Sequence, residues 1–390
     1  MTAATAKHLY MVYQTDLDPK GQGGGVRYVQ ELLGYLLERG WRVDFLGAGE
    51  FAGKPHPHLR FHGVSSLNCP WTTFFFGLWA FLWGHRALPD SLVHVHRSYF
   101  ALPFIFLKPA SKLVCTLHGD TLLVLGGRNP KLRRIVEPFF RLVELFCLWR
   151  LNRIIAVDER TAAKFRGRYP FSWLREKLRV IPSAVDLRKF SPGDRASARN
   201  RWGYDPADDV VLFVGRLEKI KNLPFLLRVF ARLQADNPRA RLLIAGNGPD
   251  KDSLQEYSGS LGLTRVEFLG AVPHDEMPWL MQAADVLALC SSSEASPIVV
   301  KEAVAVGLPV VSVDVGDVRQ VIKRQEQGTV TSNDEQQFME ALVARLGDNK
   351  ISASKSLATL DTDFSAEVSQ AKIEKIYREL SNSLKNVRVK

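Results

Sequence analysis

The sequence predicts an α/β protein of two doubly wound parallel-sheet domains facing a central cleft. Three observations predict it. Apolar runs of strand length alternate with amphipathic helical stretches from His8 onward. The alternation restarts at Val210, after a polar stretch over 186–209 that holds Pro192, Gly203 and Pro206. Several strand–helix junctions carry glycine, at the chain positions where open α/β sheets bind ligands. The length of 390 residues fits such a pair of domains.

The first series opens with a strand over His8–Tyr13 and a loop over Gln14–Gly25 that ends in G-Q-G-G-G. Val26, Val29, Leu33 and Leu36–Leu37 are spaced for an amphipathic helix over Val26–Arg39, and Gly40 stops it. Arg42–Leu46, Leu92–His96, Lys112–Leu117, Asn152–Val157 and Leu178–Pro182 read as strands. Trp71–His85 and Arg133–Arg150 read as helices, the second with Pro138 inside. In the second series, strands are expected at Val210–Val214, Arg241–Ala245, Arg265–Leu269, Val286–Leu289 and Pro309–Val313. Helices are expected at Asn222–Gln234, Lys251–Gly262, Phe338–Leu346 and Glu367–Leu380.

The stretch Ser293–Ala303, S-E-A-S-P-I-V-V-K-E-A, is central. Pro297 suits a helix start, where its missing N–H costs little, and Gly307 suits the helix stop. Glu294 then sits in a loop above a strand end, and Glu302 lies inside the helix, two turns on. Such a junction is where helix N–H groups receive anionic ligands.

Other junctions add candidates. Gly215-Arg216-Leu217-Glu218-Lys219-Ile220-Lys221-Asn222 follows the first strand of the second series. Gly215 admits a ligand close to the backbone, Arg216 can grip phosphate oxygens, and Lys221 adds a point charge. The loop lacks the G-x-x-x-x-G-K-[ST] of a nucleotide-triphosphate loop. Gly246-Asn247-Gly248-Pro249 reads either as a ligand loop or as a tight turn; position 251 is Lys, so no dinucleotide fingerprint forms. Gly21–Gly25 offers free N–H groups next to a helix start. His118 in T-L-H-G-D ends a strand. His94 and His96 alternate along another and could ligate a metal, but no third ligand is evident.

Composition narrows the class. Hydrophobic content of 46% and charged content of 24% are those of a water-soluble globular chain. Cys69, Cys115, Cys147 and Cys290 form no C-x-x-C, which argues for a reducing compartment rather than a disulfide framework or zinc site. No signal-peptide core opens the sequence, and no apolar run reaches transmembrane length. The net charge of +11 resides in residues 1–186, with 25 Lys+Arg against 14 Asp+Glu; residues 187–390 have 27 of each. The first half is therefore expected to face something anionic.

Taken in order, these segments resemble the retaining GT-B glycosyltransferases of family four, the group 1 glycosyl transferases. The resemblance rests on the glycine loop, T-L-H-G at 116–119, V-I-P-S-A-V-D at 180–186 and F-V-G-R-L-E-K-I-K-N at 213–222. It extends to A-G-N-G-P at 245–249, the E-x7-E segment and I-Y-R-E-L at 376–380. It implies two doubly wound Rossmann-like domains: an acceptor domain over 1–186, joined by a returning helix over 366–385, and a donor domain over 187–365. It implies transfer of a hexose from a nucleotide-sugar, a UDP-sugar, to a saccharide or lipid-linked saccharide of the cell envelope. By resemblance, Gly215, Arg216 and Lys221 bind the donor diphosphate, and Glu302 takes the ribose hydroxyls. Glu294 faces the donor sugar, aided by backbone N–H groups around Ser296–Ile298, where Pro297 sets the turn. The loop around Val272 cradles the base. Gly24 and His118 lie beside the reacting sugar, with His118 and Glu294 in the catalytic roles.

Fixed cations and helix N–H groups suit a leaving diphosphate, so a metal-independent transfer with no cofactor beyond the donor is expected. In the first half Asp16-Leu17-Asp18 is the one D-x-D. Ala295, Ser296, Ser183-Ala184 and Asp317 depart from the family pattern and bear on the identity of the donor sugar. The alternatives on the same fold are a nucleotide-sugar 2-epimerase and a non-enzymatic sugar-nucleotide-binding protein.

The basic half has its own expectation. Lys131, Arg133, Arg134, Arg141 and Arg150 crowd one helical region among Phe139, Phe140, Phe146 and Trp149, and Trp71–Trp83 is rich in aromatics. Such helices either lie on an anionic membrane surface or are core helices with solvated basic faces. The expected location is cytoplasmic, peripheral on the inner face of the membrane. Nucleic acid is not expected as a partner, since no recognised module is present.

Overall fold

The structure, a computed structural model, describes residues 7–18, 23–67, 70–85, 91–119, 130–347 and 362–388. Gly21, Gln22, Cys69 and Asp120 of the candidate motifs lie outside the described residues, as do the side chains of Lys131, Arg133 and Arg134. The chain forms two compact units. One holds the amino-terminal strand, Gly25–Pro182 and the residues from Ser369; the other is built on Ser183–Val368.

The first unit is a parallel sheet of seven described strands: β1 (His8–Val12), β2 (Arg42–Gly47), β3 (Leu59–Gly63), β4 (Leu92–Val95), β5 (Lys112–Leu117), β6 (Arg153–Ala156) and β7 (Leu178–Val180). Their order is β3-β2-β1-β4-β5-β6-β7, so the winding reverses between β1 and β4. Parallel neighbours need long crossovers. These are supplied by α1 (Gly24–Glu38), α2 (Trp71–Gly84), α3 (Leu102–Leu107), α4 (Pro130–Arg150), α5 (Glu159–Arg168) and α6 (Ser172–Lys177). The inner strands are covered on both faces and are largely apolar, with Val93, Val95, Val114, Cys115 and Ile154 buried and His94 and Thr116 as buried polar exceptions.

The second unit repeats the plan. Its strands are β8 (Asp209–Val214), β9 (Ala240–Ala245), β10 (Val266–Gly270), β11 (Val286–Leu289), β12 (Val310–Val313) and β13 (Gly328–Thr331), ordered β10-β9-β8-β11-β12-β13. Its winding reverses between β8 and β11. Around it lie α7 (Arg195–Trp202), α8 (Leu223–Asp236), α9 (Lys251–Ser260), α10 (Met277–Ala283), α11 (Ile298–Val306), α12 (Val318–Val321) and α13 (Glu335–Gly347). The last helix, α14 (Ala366–Arg388), belongs to the first unit from Ser369 onward. Its Ile373, Ile376, Tyr377 and Leu380 are buried at helical spacing.

The elements not foreseen have separate causes. β3 and β13 are short edge strands of mixed polarity. α3 lies within an apolar run, Phe100–Leu107, whose periodicity does not tell helix from strand. The polar helix α5 carries its signal at its start: Asp158 caps it, accepting from the Thr161 N–H at 2.7 Å.

Candidate functional site

In an open α/β sheet, ligands bind beyond the carboxyl ends of the strands where the winding reverses. In the second unit that place is framed by the loops after β8 and β11. The β8 loop is held from below by the β9 loop. Leu217 N–H donates to Asn247 O at 3.0 Å and Asp250 N–H to Leu217 O at 3.1 Å. A Cβ on Gly246 would lie 1.8 Å from Gly215 O, and one on Gly248 would lie 2.2 Å from Leu217 O. The two glycines of G-N-G-P are therefore required by backbone packing, which is the tight-turn reading of that motif.

The β8 loop is also tied to the β11 loop. Ser292 N–H donates to Ile220 O at 2.8 Å, and the Cys290 thiol to Lys221 O at 3.2 Å. Asn222 turns the chain into α8 in a left-handed conformation, φ +54°, which asparagine tolerates well. The result places Lys221 Nζ 2.5 Å from Glu294 Oε1, which also accepts from Ser291 Oγ at 2.8 Å. Two predicted site residues, one from each loop, thus form an ion pair. Gly215 and Arg216 sit on the same β8 loop. Arg216 is 55% exposed, with Glu218 at 3.8 Å, so its guanidinium projects into solvent.

Helix α11 starts where the sequence places it. Pro297 is its N-cap residue, Ile298 opens it, and Gly307 closes it with φ +83°. The first N–H groups of a helix have no partner within it, so this end favours an anion. Glu302 lies in α11 and is fully buried. His274 Nε2 is 3.3 Å from its Oε1, and Lys189 Nζ is 2.8 Å from His274 Nδ1. An ammonium only donates, so Nδ1 accepts and Nε2 carries the hydrogen given to Glu302. His274 was not foreseen as a site residue. Its signal was adjacency: P-H-D directly follows Val272, which is half-buried against the core of the unit in the loop after β10.

Behind the amino end of α11 lies a buried ion pair. Lys301 Nζ meets Asp317 Oδ2 at 2.7 Å and the Ser296 hydroxyl at 2.5 Å; Ser296 Oγ in turn donates to Asp317 Oδ2 at 2.7 Å. Lys301 also lies 4.9 Å above the Phe364 ring. Ser296 and Asp317, two of the departures from the family pattern, are thus partners. The Ser296 hydroxyl is committed to that pair.

In the first unit, His118 follows β5 and is only partly exposed. His118 Nε2 lies 3.0 Å from His96 Nδ1, and Tyr28 of α1 packs edge-on to the His118 ring at 4.9 Å. His94 is held by Thr116 Oγ1 at 2.8 Å and by the Tyr377 hydroxyl of α14 at 2.5 Å. Both of its ring nitrogens are therefore engaged within the protein. Among the described residues no group of three His, Cys, Asp or Glu is placed to hold a metal.

Burial, with the Arg97 charge, pushes His118 down to about 3. Burial and His118 do the same to His94, and burial with both neighbours holds His96 well below its ordinary value. The cluster is neutral at pH 7, so His118 offers hydrogen bonds rather than a charge. Gly24 is the first residue of α1. At Gly25 a Cβ would come within 2.4 Å of the Tyr13 hydroxyl, so the glycine run there admits a buried ring.

Residues 22–189 match the family model for glycosyltransferase family 4, and residues 194–358 match that for glycosyl transferases group 1. The D-inositol 3-phosphate glycosyltransferase of Segniliparus rotundus is 31% identical over 305 residues, which cover 77% of this chain and 66% of that protein. The chain spans less than two thirds of the length of the curated relatives it matches. Among solved structures, sucrose-phosphate synthase from Thermosynechococcus elongatus superposes with a TM-score of 0.79 at 22% identity, over 97% of this chain and 100% of that one. Anabaena Alr3699/HepE in complex with UDP and glucose gives 0.74 at 18% identity, over 95% and 99%.

Proposed function

The chain belongs to the group 1 glycosyl transferases of family four and has their GT-B fold, and from that premise we propose that it moves a hexose from a UDP-sugar to a saccharide acceptor with retention of configuration. The observation that carries this reading is the grouping on the second unit of Lys221, Glu294 and the open amino end of α11, with Glu302 buried in the same helix. In the proposal, Arg216 and Lys221 take the diphosphate. Arg216 is free to swing onto it, and Lys221 exchanges Glu294 for phosphate oxygens. As the glycosidic bond breaks, negative charge builds on that diphosphate, and the two cations with the α11 N–H groups stabilise it. Glu302, oriented by His274, accepts the ribose hydroxyls. Glu294, released from Lys221, faces the sugar, and the loop bearing Val272 faces the base.

Neutral His118 hydrogen-bonds the reacting sugar, with Gly24 leaving room for it. The acceptor in this reading is a lipid-linked or envelope saccharide, drawn by the positive charge of the first half. The enzyme then works at the cytoplasmic face of the membrane. The UDP and glucose held by the Anabaena protein support the donor class.

Calorimetric titration with nucleoside diphosphates tests the reading. Glu302→Ala is expected to weaken UDP binding by about 1.5–3 kcal/mol, the range for hydrogen bonds to a charged group. Unchanged affinity in that variant, or no nucleotide binding by the natural chain, ends the proposal. Turnover of UDP-sugars in the same preparation separates an enzyme from a binding protein.

A further inference from the structure

One surface of the first unit is not used by this chemistry. The sequence left two readings for its aromatic helices, membrane surface or core, and in the structure each helix has buried apolar residues and exposed ones. In α2, Phe74, Leu78 and Leu82 are buried, while Phe76 and Trp83 are 67% and 62% exposed. In α4, Phe140, Cys147 and Leu148 are buried. Its outward stripe is Phe139, Leu142, Phe146 and Trp149, at 69%, 66%, 36% and 53% exposure. Arg141 and Arg150 of the same helix are exposed as well, so its outward side carries both apolar and basic residues. Phe106 of α3, 60% exposed, joins the two helices: its ring centroid is 6.0 Å from Trp79 and 6.1 Å from Phe146, which is 6.3 Å from Trp149. An outward aromatic platform shared by three helices marks an interaction surface.

Its edge is positively charged. Trp149 O accepts from Lys177 Nζ at 2.6 Å, and Arg150 lies 6.0 Å from the Trp149 ring centre. Arg153 and Arg179 spend their guanidinium groups on backbone carbonyls at 2.9 and 2.7 Å. No ion pair is seen for Arg150, Arg153, Lys177 or Arg179 among the described residues. Arg150 and Arg153 crowd Lys177 enough to add to the effect of burial in lowering its affinity for a proton. A second copy docked by a two-fold axis on this face would bring these positive charges toward their own kind. An anionic lipid surface meets both halves of the pattern, apolar rings and basic rim. No described helix is long and apolar enough to cross a membrane.

We propose that the α2–α3–α4 face docks on an anionic bilayer, with Trp83, Phe106, Phe146 and Trp149 entering the interfacial layer and Arg150, Arg153 and Lys177 meeting headgroup phosphates. The docking is independent of nucleotide binding on the other unit, and the two are tested separately. The experiment is flotation with equimolar phosphatidylglycerol and phosphatidylcholine vesicles, with pure phosphatidylcholine vesicles, and with the mixed vesicles at raised salt. The natural chain is expected to float with the anionic vesicles, and salt is expected to reduce the bound fraction.

Phe146→Ser with Trp149→Ser is expected to weaken partitioning roughly tenfold or more for each ring removed. Arg150→Ala with Lys177→Ala, which leaves the rings in place, is expected to cost about fivefold per charge on anionic vesicles alone. Helical circular dichroism and UDP affinity report that the variants are folded. Absence of flotation at physiological salt overturns the proposal, as does binding that neither pair of substitutions reduces. Sedimentation showing a dimer that the ring substitutions dissolve, without vesicle binding, assigns the face to a second copy and also overturns it.

Discussion

Single residues in this protein are set by their neighbours more than by their type. Lys301 and Asp317 are each buried, and each is stable there because the other is within hydrogen-bond distance. Removing one partner leaves an uncompensated charge in a dry site. Asp317→Ala is therefore expected to cost about 3–5 kcal/mol in urea unfolding, and Lys301→Met added to it should recover much of that loss. An equally destabilised double variant would show that the pair is not the cause. The sequence displayed Ser296 and Asp317 only as departures from a pattern, 21 positions apart; that they share one lysine is visible only once α11 and the loop after β12 are folded together. Glu294 and Lys221 are the converse case, since residue types and strand-end positions alone pointed to both.

At the scale of elements, α14 is the clearest case of a helix whose periodicity was legible but whose neighbours were not. Its buried side carries two polar anchors. The Glu374 carboxylate accepts from the Trp41 indole at 3.0 Å and from Arg378 at 2.7 Å, and Tyr377 bonds His94. Tyr377→Phe keeps the ring and removes the hydroxyl, leaving His94 Nδ1 buried without that partner. A loss of about 1–3 kcal/mol is expected in thermal unfolding. A variant as stable as the parent would mean that His94 finds another partner. Burial opposes ionisation of Glu374, but the bonds from Trp41 and Arg378 prevail and hold its carboxyl below the usual glutamate range. Its contribution is thus present above the unfolded value and is lost as pH falls through the folded one. Helices α2 and α4 were legible as aromatic helices. Which rings point outward was not: α2 is apolar all round, so its period carries no direction, and in α4 aromatic rings stand on the charged side as well as the buried one.

For the whole molecule, the histidine cluster sets a pH limit. His94 and His118 have folded values near 3, whereas an unfolded histidine titrates near 6.5. Between these values the unfolded chain binds more protons, so stability rises with pH across the window and falls on acidification. Each such histidine contributes a slope of at most about 1.4 kcal/mol per pH unit, less for partly exposed His118. Urea midpoints measured between pH 7.5 and 5 should drop, and His94→Gln should flatten the drop; a flat profile in the parent refutes the buried-neutral assignment.

The winding of two parallel sheets, the helix over Pro297–Gly307 and the strand-end placing of Arg216, Lys221, Glu294 and His118 follow from local rules. Strand runs, glycine stops and proline starts are written in adjacent residues, and parallel strands leave few ways to connect them. Tertiary structure decided three things. It assigned His274 to Glu302, since that bond joins residues 28 positions apart on two elements. It made G-N-G-P a packing device, because only the approach of Gly215 and Leu217 forbids a side chain there. And it turned aromatic rings of α2, α3 and α4 outward, because the elements packed against each helix decide which of its apolar positions are covered.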